Sequence, residues 1–532
     1  MKPHRPNPLW VAFCVTWLGC AGGEPEGSGA PVSGGGTWMG EELSAGCEPG
    51  DGGTPGADTV RVTSHLRFHT LVGVAERPED MSARPPHVLV QDGGTFTRID
   101  GTATDGGYQF AGVPQGTYYL RTGNAYVLTD ARHVELGSNH VGRVDTVFTG
   151  TSATPMQLTL SNLAPWVFMW DSQNFSSLEV ISGQVELAGE VYLHEEPQDG
   201  QTAVTASTAE TWNHLNTVPV FEAAKGDALY VNQLGAMDAG TLPDGGAVVS
   251  RTVVRSTQTA PFDFTADGTT PLQVSGVMQS VPTQELALEW RLSEYTSRAT
   301  QMHPAATLNK PVLYIEAGPH RPEHGTVGAS GLLLRLELPA RAAFNFTRRL
   351  AYGNPFPATW AQVGSAAYHL GHREMLPDGS GRMQSISIEN MATRDLVTNL
   401  FASPLSPRLT PPRGLAIDGL DANVQRQVGA TSPVISWLPP ERGTPTGYRL
   451  ALFRYVDDQG FVMAEFDGYF YVPGSTTQVR LPPGTLRPAS IYKLRVLAME
   501  ITGQDLKGRP FQTLGGLPQS YATAVSSFFT TP

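Results

Sequence analysis

Apolar and polar residues alternate along most of the chain after residue 59, in short runs of five to nine residues. Examples are VRVTSHLRF at 60–68, HVLVQD at 87–92 and ELALEWRL at 285–292. Turns containing Gly or Pro separate the runs. Period-two alternation bounded by turn residues is typical of β-strands that are half buried in a sheet. The pattern therefore predicts an all-β fold, arranged as a multi-domain chain of β-sandwiches.

The string GTATDGGYQFAGVPQGTYYLRTG at 101–123 is the most specific feature of the first half. Its Asp105-Gly106-Gly107 segment can form a tight turn with positive φ between two strands. The string resembles the carboxypeptidase regulatory-like, transthyretin-like sandwich modules. Such modules are spacers or binding units without catalytic residues of their own. The resemblance therefore implies a β-sandwich over residues 59–150 and no active site within it.

The C-terminal part resembles a fibronectin type III domain, over residues 415–532. PVISWLPP places Trp437 at the end of a strand, and LRPASIYKLRVLAME matches the Leu-x-Pro-x-x-x-Tyr-x-x-x-Val-x-Ala signature of that family. The resemblance implies that Trp437 packs in the sandwich core. It also implies that the Tyr492 hydroxyl bonds to upstream backbone in a tyrosine corner, with Leu486 closing the corner beneath it.

Residues 151–401, between these two regions, continue the strand pattern but resemble no family, and they fit one or two β domains. The segment ASPLSPRLTPPRG at 402–414 carries four prolines. Repeated proline favours an extended, stiff backbone. The segment is therefore predicted to be a spacer that marks a domain boundary.

The first residues have the pattern of an export signal. Basic residues at positions 2 and 5 precede an apolar run of ten residues, LWVAFCVTWL, and Cys20 follows Gly19. Ten apolar residues suit a signal peptide and are too few to span a bilayer. Residues 1–20 resemble a bacterial lipoprotein signal, which implies that Cys20 is lipidated, although Trp17 and Leu18 depart from the usual motif. Ordinary secretion is the alternative.

Residues 21–58 are rich in Gly, Ser and Glu and are predicted to form a flexible tether. The predicted location is therefore the cell envelope, as an outer-membrane lipoprotein held by its lipid, or else secretion. The net charge of −13, without a basic cluster, argues against nucleic acid as a partner. Charged residues make up only 16% of the chain, which leaves ample apolar sequence for real cores.

Two histidine motifs are the candidates for a metal site. His320, Glu323 and His324 have the His-x-x-Glu-His spacing of inverted zinc proteases, but the prolines within and beside the motif exclude the helix that this chemistry uses. His369 and His372 are three residues apart, a spacing that chelates on a helix but lies here in a β pattern. Solvent-exposed loop histidines are the competing interpretation, and we expect no metal and no other cofactor.

The function that this sequence favours is a non-catalytic surface lipoprotein that presents β-sandwich modules for adhesion or protein interaction. One alternative is a carbohydrate-binding protein or accessory subunit, motivated by nine tryptophans. The other is a hydrolase whose active site lies unrecognised within 155–400. No catalytic residue is nominated, and the expected ligand is a protein or a glycan.

Overall fold

The computed structural model of the chain describes residues 58–149, 153–168, 174–212, 218–458, 460–512 and 515–532. Strands dominate these residues, which confirms the all-β prediction. Helical structure in the described part is confined to short segments, namely α1 (Leu292–Thr296), α2 (Ala299–Met302), α3 (Val397–Leu400) and the 3₁₀ turns Ala223–Lys225 and Pro322–His324. No helix among the described residues has the length and apolar character needed to cross a membrane. Residues 1–57, with Cys20, lie outside the described part.

Residues 59–149 form the first β region, which we call the N-terminal module. Its strands are β1 (Thr59–Thr63), β2 (His65–His69), β3 (Val74–Pro78), β4 (His87–Asp92), β5 (Thr95–Asp100), β6 (Thr102–Thr104), β7 (Gly107–Ala111), β8 (Tyr118–Thr122), β9 (Ala125–Thr129), β10 (His133–Glu135), β11 (Asn139–Val141) and β12 (Phe148–Thr149). One sheet has the order β10-β1-β7-β6, and β5-β4-β8-β9 form the facing layer. Val62, Phe110 and Leu120 fill the space between the two layers.

The turn predicted at residues 105–107 is present and depends on its glycines. Gly106 has φ of 75°, in the left-handed region that glycine adopts without steric cost. A Cβ atom on Gly107 would lie only 2.0 Å from the carbonyl oxygen of Val62 on the paired strand β1. The two glycines therefore serve different purposes, since one makes the turn and the other allows close strand pairing.

Residues 153–400 form the middle region. Its strands are β13 (Ala153–Ser161), β14 (Ser177–Ser182), β15 (Ala188–Leu193), β16 (Ala203–Trp212), β17 (Val218–Pro219), β18 (Leu229–Thr241), β19 (Ala247–Gln258), β20 (Leu272–Val277), β21 (Gln279–Ser280), β22 (Thr283–Arg291), β23 (Thr307–Gly318), β24 (Gly331–Glu337), β25 (Asn345–Gly353), β26 (Ala361–Met375) and β27 (Met383–Leu396). Pairing runs in the order β20-β13-β16-β15-β14-β18-β19-β24-β23-β26-β27. Strands β22 and β25 form a separate antiparallel pair.

Residues 413–530 form the C-terminal sandwich. Its strands are β28 (Arg413–Ile417), β29 (Leu420–Asp421), β30 (Arg426–Gln427), β31 (Val434–Leu438), β32 (Gly447–Asp458), β33 (Phe461–Pro473), β34 (Gln478–Arg480), β35 (Ile491–Ile501), β36 (Gln519–Val525) and β37 (Phe529–Thr530). One layer is β29-β28-β31-β34, and the other is β33-β32-β35 continued by β36 and β37. Trp437 is buried between them, edge-on to Tyr448 with ring centroids 5.1 Å apart.

Tyr492, at the start of β35, makes the contact that the sequence predicts for it. The backbone N–H of Arg487, five residues upstream, donates a hydrogen bond to the Tyr492 hydroxyl at 2.8 Å. The hydroxyl in turn donates to a carboxylate oxygen of Asp467 at 2.7 Å. Leu486 and Tyr492 are both buried in the same core cluster. Tyr492 on β35 thus links the loop at Arg487 to Asp467, which lies at a β-bulge of β33.

Backbone pairing continues from one region to the next. Strand β27 of the middle region pairs antiparallel with β36, with Met391 opposite Ala522. Strand β9 of the N-terminal module pairs in parallel with β33, with Phe470 opposite Tyr126. One core cluster also joins the module to β35, through residues such as Leu497. The three regions therefore form one hydrogen-bonded body.

The proline-rich segment 402–414 is packed against this body rather than exposed as a spacer. Leu405 and Leu409 are buried, and the backbone N–H of Arg291 donates to the carbonyl of Leu405 at 2.9 Å. Proline keeps the segment extended, but the leucines between the prolines give it an apolar side that the neighbouring strands cover. The domain boundary placed here stays a prediction.

We expect Tyr492→Phe to lower the free energy of unfolding by roughly 1–3 kcal/mol, because it leaves the Asp467 carboxylate and the Arg487 N–H without their shared partner. Urea denaturation followed by tryptophan fluorescence measures the change. Tyr192→Phe is the matched control, since Tyr192 is 56% exposed. Equal stability of the two variants would contradict the role assigned to the tyrosine corner.

Candidate functional site

A buried group of charged and polar side chains lies where the middle region meets the C-terminal sandwich. We call His303, His372, Glu374 and Lys493 the ionic cluster. His372 and Glu374 are two residues apart on β26, so strand alternation places both on one face. His303 ends α2, and Lys493 follows Tyr492 on β35. Three elements that are distant in sequence thus supply the cluster.

Lys493 occupies the centre of the ionic cluster. Its Nζ donates to Glu374 Oε2 at 2.8 Å and to His372 Nε2 at 2.5 Å, and its side chain is only 4% exposed. The other Glu374 oxygen accepts from Gln425 Nε2 at 2.8 Å and from the Phe528 backbone N–H at 3.2 Å. A buried charge that is paired and fully hydrogen-bonded is the arrangement in which ion pairs survive inside proteins.

Burial and charge pull the pKa values of the cluster in opposite directions. Burial lowers the pKa of Lys493 to about 8, although the nearby charge of Glu374 acts to raise it. Burial alone would raise the pKa of Glu374, but its contacts with His372 and Lys493 hold it well below its usual range. Burial and the neighbouring His372 and Lys493 lower the pKa of His303 to about 4. At neutral pH the cluster therefore holds an ammonium–carboxylate pair beside a neutral imidazole.

One nitrogen or oxygen atom each from His303, His372 and Glu374 lies within 4.8 Å of the others, a separation suited to a metal ion. The hydrogen bonds argue against that use. The Ala305 backbone N–H donates to His303 Nδ1 at 3.1 Å, so Nε2 carries the proton and faces Ser527 Oγ at 3.2 Å. Neither His303 nitrogen has a free lone pair, and the Lys493 ammonium already supplies the positive charge.

The two histidine motifs of the sequence behave differently in the fold. His369 is partly exposed and lies an odd number of residues from His372, which places successive side chains on opposite faces of a strand. His320 is buried, its Nδ1 donates to the Arg321 carbonyl at 3.1 Å, and burial lowers its pKa to about 4. His369 and His372 therefore lie on different faces of the strand, and the structure brings His303 and Lys493 to His372 instead.

His324 reaches a cleft that all three regions line, which we call the junction cleft. Its volume is about 610 Å³. The N-terminal module contributes His69 and Asn139, the middle region contributes Glu323 and His324, and the C-terminal sandwich contributes residues between Thr502 and Gly516. The His69 and His324 rings are edge to face, with centroids 4.9 Å apart. The cleft therefore exists only because the three regions meet.

A second polar chain joins the N-terminal module to the middle region. Ser138 Oγ lies 2.9 Å from His140 Nε2, and His140 Nδ1 lies 2.6 Å from a carboxylate oxygen of the buried Glu186. The order of groups is that of a nucleophile, a base and an acid. However, Ser138 and His140 alternate with Asn139, which lines the junction cleft, so the chain faces away from that cleft. We interpret it as a fastening between the two regions.

The pattern of the sequence does not predict the ionic cluster, the junction cleft or the Ser138–His140–Glu186 chain. Their members are separated by up to hundreds of residues, so only the tertiary fold brings them together. One signal was available in the sequence. Lys493 is one of only five lysines, and it stands in the middle of the apolar run YKLRVLAM. A lysine in such a run indicates either an exposed strand face or a buried partner charge.

The tryptophans bear on the carbohydrate-binding hypothesis. Among the tryptophans whose side chains the structure describes, Trp166, Trp290, Trp360 and Trp437 are all buried. Trp170 and the side chain of Trp212 lie outside the description. Buried indole rings cannot stack on sugars, so these four fill cores.

No protein-family model matches the chain, and no curated protein matches it. Among solved structures, it is similar to the FN1–FN3 domains of chicken CNTN1, with 10% identity and a TM-score of 0.14 over 71% of this chain and 99% of that chain. It is also similar to a streptococcal ancillary pilin, with 12% identity and a TM-score of 0.11 over 62% of this chain and 95% of that chain. Overlaps this loose carry no argument, so the fold rests on the strands themselves.

We expect Glu374→Gln to cost about 3–5 kcal/mol of unfolding free energy, because it leaves the buried Lys493 charge unpaired. The double variant Glu374→Leu with Lys493→Met removes both charges and should recover most of that loss. Urea denaturation measures both effects. If the double variant is as unstable as the single one, the loss comes from altered packing and not from an unpaired Lys493 charge.

A pH dependence follows from His303. The unfolded chain takes up a proton on this residue near its ordinary pKa of 6.5, whereas the folded pKa is about 4. The unfolded state binds more protons between these values, so stability falls as pH drops through that window. His372, Lys493, Glu374 and Asp421 are the charged or titratable groups that act on it.

We expect His303→Gln to make this decline shallower, by up to about 1.4 kcal/mol per pH unit. Urea unfolding at several pH values between about 7 and about 5 measures the slope. His194→Gln is the control, because the His194 side chain is 45% exposed. An unchanged slope in His303→Gln would show that folding does not lower the pKa of His303.

Proposed function

We propose that this protein is an exported, non-catalytic component of a bacterial cell envelope, anchored by a lipid on Cys20. It presents a transthyretin-like module and a fibronectin type III-like sandwich to a protein partner. The N-terminal signal pattern and the tether motivate the anchor. The observation that carries the proposal is the strand ladder that runs unbroken from the middle region through the C-terminal sandwich to the N-terminal module.

A ladder of this kind suits a binding and positioning role. Modules that pair through backbone hydrogen bonds and share a core cannot rotate freely, so a surface on one of them keeps its position relative to the others. The tether between residues 21 and 58 then supplies the freedom that the folded body lacks. A rigid body on a flexible lipid anchor can reach a partner outside the membrane while holding a fixed binding geometry.

Carbohydrate binding is the less supported alternative, because the described tryptophans are buried. A hydrolase is the other alternative. The Ser138–His140–Glu186 chain is the arrangement that comes nearest to a hydrolase site. Burial alone would lower the pKa of His140, but the hydrogen bond and the charge of the Glu186 carboxylate raise it above its ordinary value. The hydrolase alternative stays secondary because those side chains face away from the junction cleft.

Expression of the full chain in a Gram-negative host tests the proposal. We expect the mature protein to begin at a diacylated Cys20, to partition into detergent, and to become water-soluble in Cys20→Ser. Cys47→Ser should partition like the wild type, which separates lipidation from any general effect of losing a thiol. Mass spectrometry of the N-terminal peptide reads the result.

Two outcomes would overturn the proposal. A mature N-terminus beyond Cys20 without a lipid would remove the anchor, and retention of Met1 would remove export. The non-catalytic part fails separately if a fluorophosphonate probe labels Ser138 in the wild type and not in His140→Ala.

A further inference from the structure

His69 has a buried nitrogen lone pair that no described group satisfies. The residue is only 4% exposed, and its Nε2 lies 2.9 Å from Asn139 Oδ1. The Asn139 amide is oriented by its own Nδ2, which donates to the Gln512 carbonyl at 2.6 Å. Oδ1 must therefore accept, and His69 Nε2 must donate. In the neutral ring this leaves Nδ1 as an acceptor, and it has no hydrogen-bond partner.

A second unpartnered imidazole nitrogen belongs to the ring that packs against His69. His324 Nδ1 is buried and also lacks a hydrogen-bond partner among the described residues. Both rings line the junction cleft, with centroids 4.9 Å apart and planes inclined by 70°. Two imidazoles that share one tetrahedral zinc ion have ring centroids about 5 Å apart, given zinc–nitrogen bonds of about 2.0–2.1 Å. The observed centroid separation agrees with that value.

We propose that the junction cleft binds a transition-metal ion, of the zinc, nickel or copper class, through His69 and His324. Neutral imidazole is the ligand that these ions prefer over carboxylate and water, whereas calcium and magnesium prefer oxygen. Two protein nitrogens leave coordination positions for water or for an added ligand. The site is therefore open, and a ligand on the ion would contact the cleft.

The surroundings of His69 have the form of an outer coordination shell. Metal-bound histidines usually donate their other ring N–H to an oxygen acceptor that fixes the ring and its tautomer. Asn139 Oδ1 has that position here, and the Gln512 carbonyl fixes Asn139 in turn. The two ligands come from the N-terminal module and the middle region, and the orienting carbonyl comes from the C-terminal sandwich.

The charges that line the junction cleft are of both signs. Asp505 and Glu323 contribute negative charge to it, and Arg509 contributes positive charge. Arg67 also lines it, but its guanidinium pairs with Glu76 at 3.1 Å. The ionic cluster differs, because the Lys493 ammonium already fills it and both His303 nitrogens have hydrogen-bond partners.

The test is calorimetric titration of the metal-free full chain, purified without a polyhistidine tag, with Zn²⁺. We expect one equivalent to bind at a site that a chelator empties, and Co²⁺ to give the visible absorption of a tetrahedral complex. His69→Gln and His324→Gln should each weaken binding by at least about tenfold. Zn²⁺ should raise the thermal midpoint of the wild type and leave that of both variants unchanged.

Two matched controls locate the site. His372→Gln removes a histidine from the ionic cluster, and His194→Gln removes an exposed one, so both should bind Zn²⁺ like the wild type. If His69→Gln does not fold, His324→Gln decides the test, because His324 lies in the 3₁₀ turn Pro322–His324 and is less buried than His69.

The proposal is wrong if the wild type binds no Zn²⁺ above the level of the His69/His324 double variant. It is also wrong if binding persists unchanged in His324→Gln, or if it is lost in His372→Gln. None of these three results would affect the proposed envelope function, because lipid anchoring at Cys20 is measured independently.

Discussion

Backbone hydrogen bonding between regions is the constraint on which the rest of this structure depends. Strand β36 pairs with β35 on one side and with β27 of the middle region on the other. Strand β33 pairs with β32 and, through its last residues, with β9. An open strand edge presents unpaired N–H and C=O groups that invite aggregation, and here neighbouring regions cover these edges. Covering an edge also fixes how two regions are oriented.

The same pairing explains why polar groups are buried at the junctions. In an isolated sandwich one face of β35 would be exposed, and alternation places Lys493, Arg495 and Leu497 on it. Here the neighbouring regions cover much of that face, so Leu497 joins a core shared with the N-terminal module and Lys493 becomes buried. A lysine that loses water needs a carboxylate, and Glu374 supplies it. The ionic cluster thus forms because the middle region packs against the C-terminal sandwich. Any other arrangement of these two regions that still buried Lys493 would leave its charge without Glu374 and would therefore be less stable.

Local order was predictable from the sequence, and long-range order was not. Alternation over a few residues identifies strands, and the spacing around Trp437 and Tyr492 identifies a core and a corner, because those contacts form within one sandwich. The partners of His69 lie 70 and 255 residues further along the chain, and nothing in the local sequence indicates them. The prolines of 402–414 predict an extended backbone, but the burial of Leu405 and Leu409 depends on strands supplied by other parts of the chain.

The junction cleft links stability to occupancy. A ligand or ion that binds only the assembled protein stabilises it in proportion to its concentration and affinity. Because the cleft is lined by all three regions, whatever binds there favours the docked arrangement over any in which one region has separated. The buried Nδ1 of His69 costs stability while it is unsatisfied, and an occupant would remove that cost. Binding at a site between regions therefore stabilises the packing of all three regions, whereas binding within one sandwich would stabilise only that sandwich.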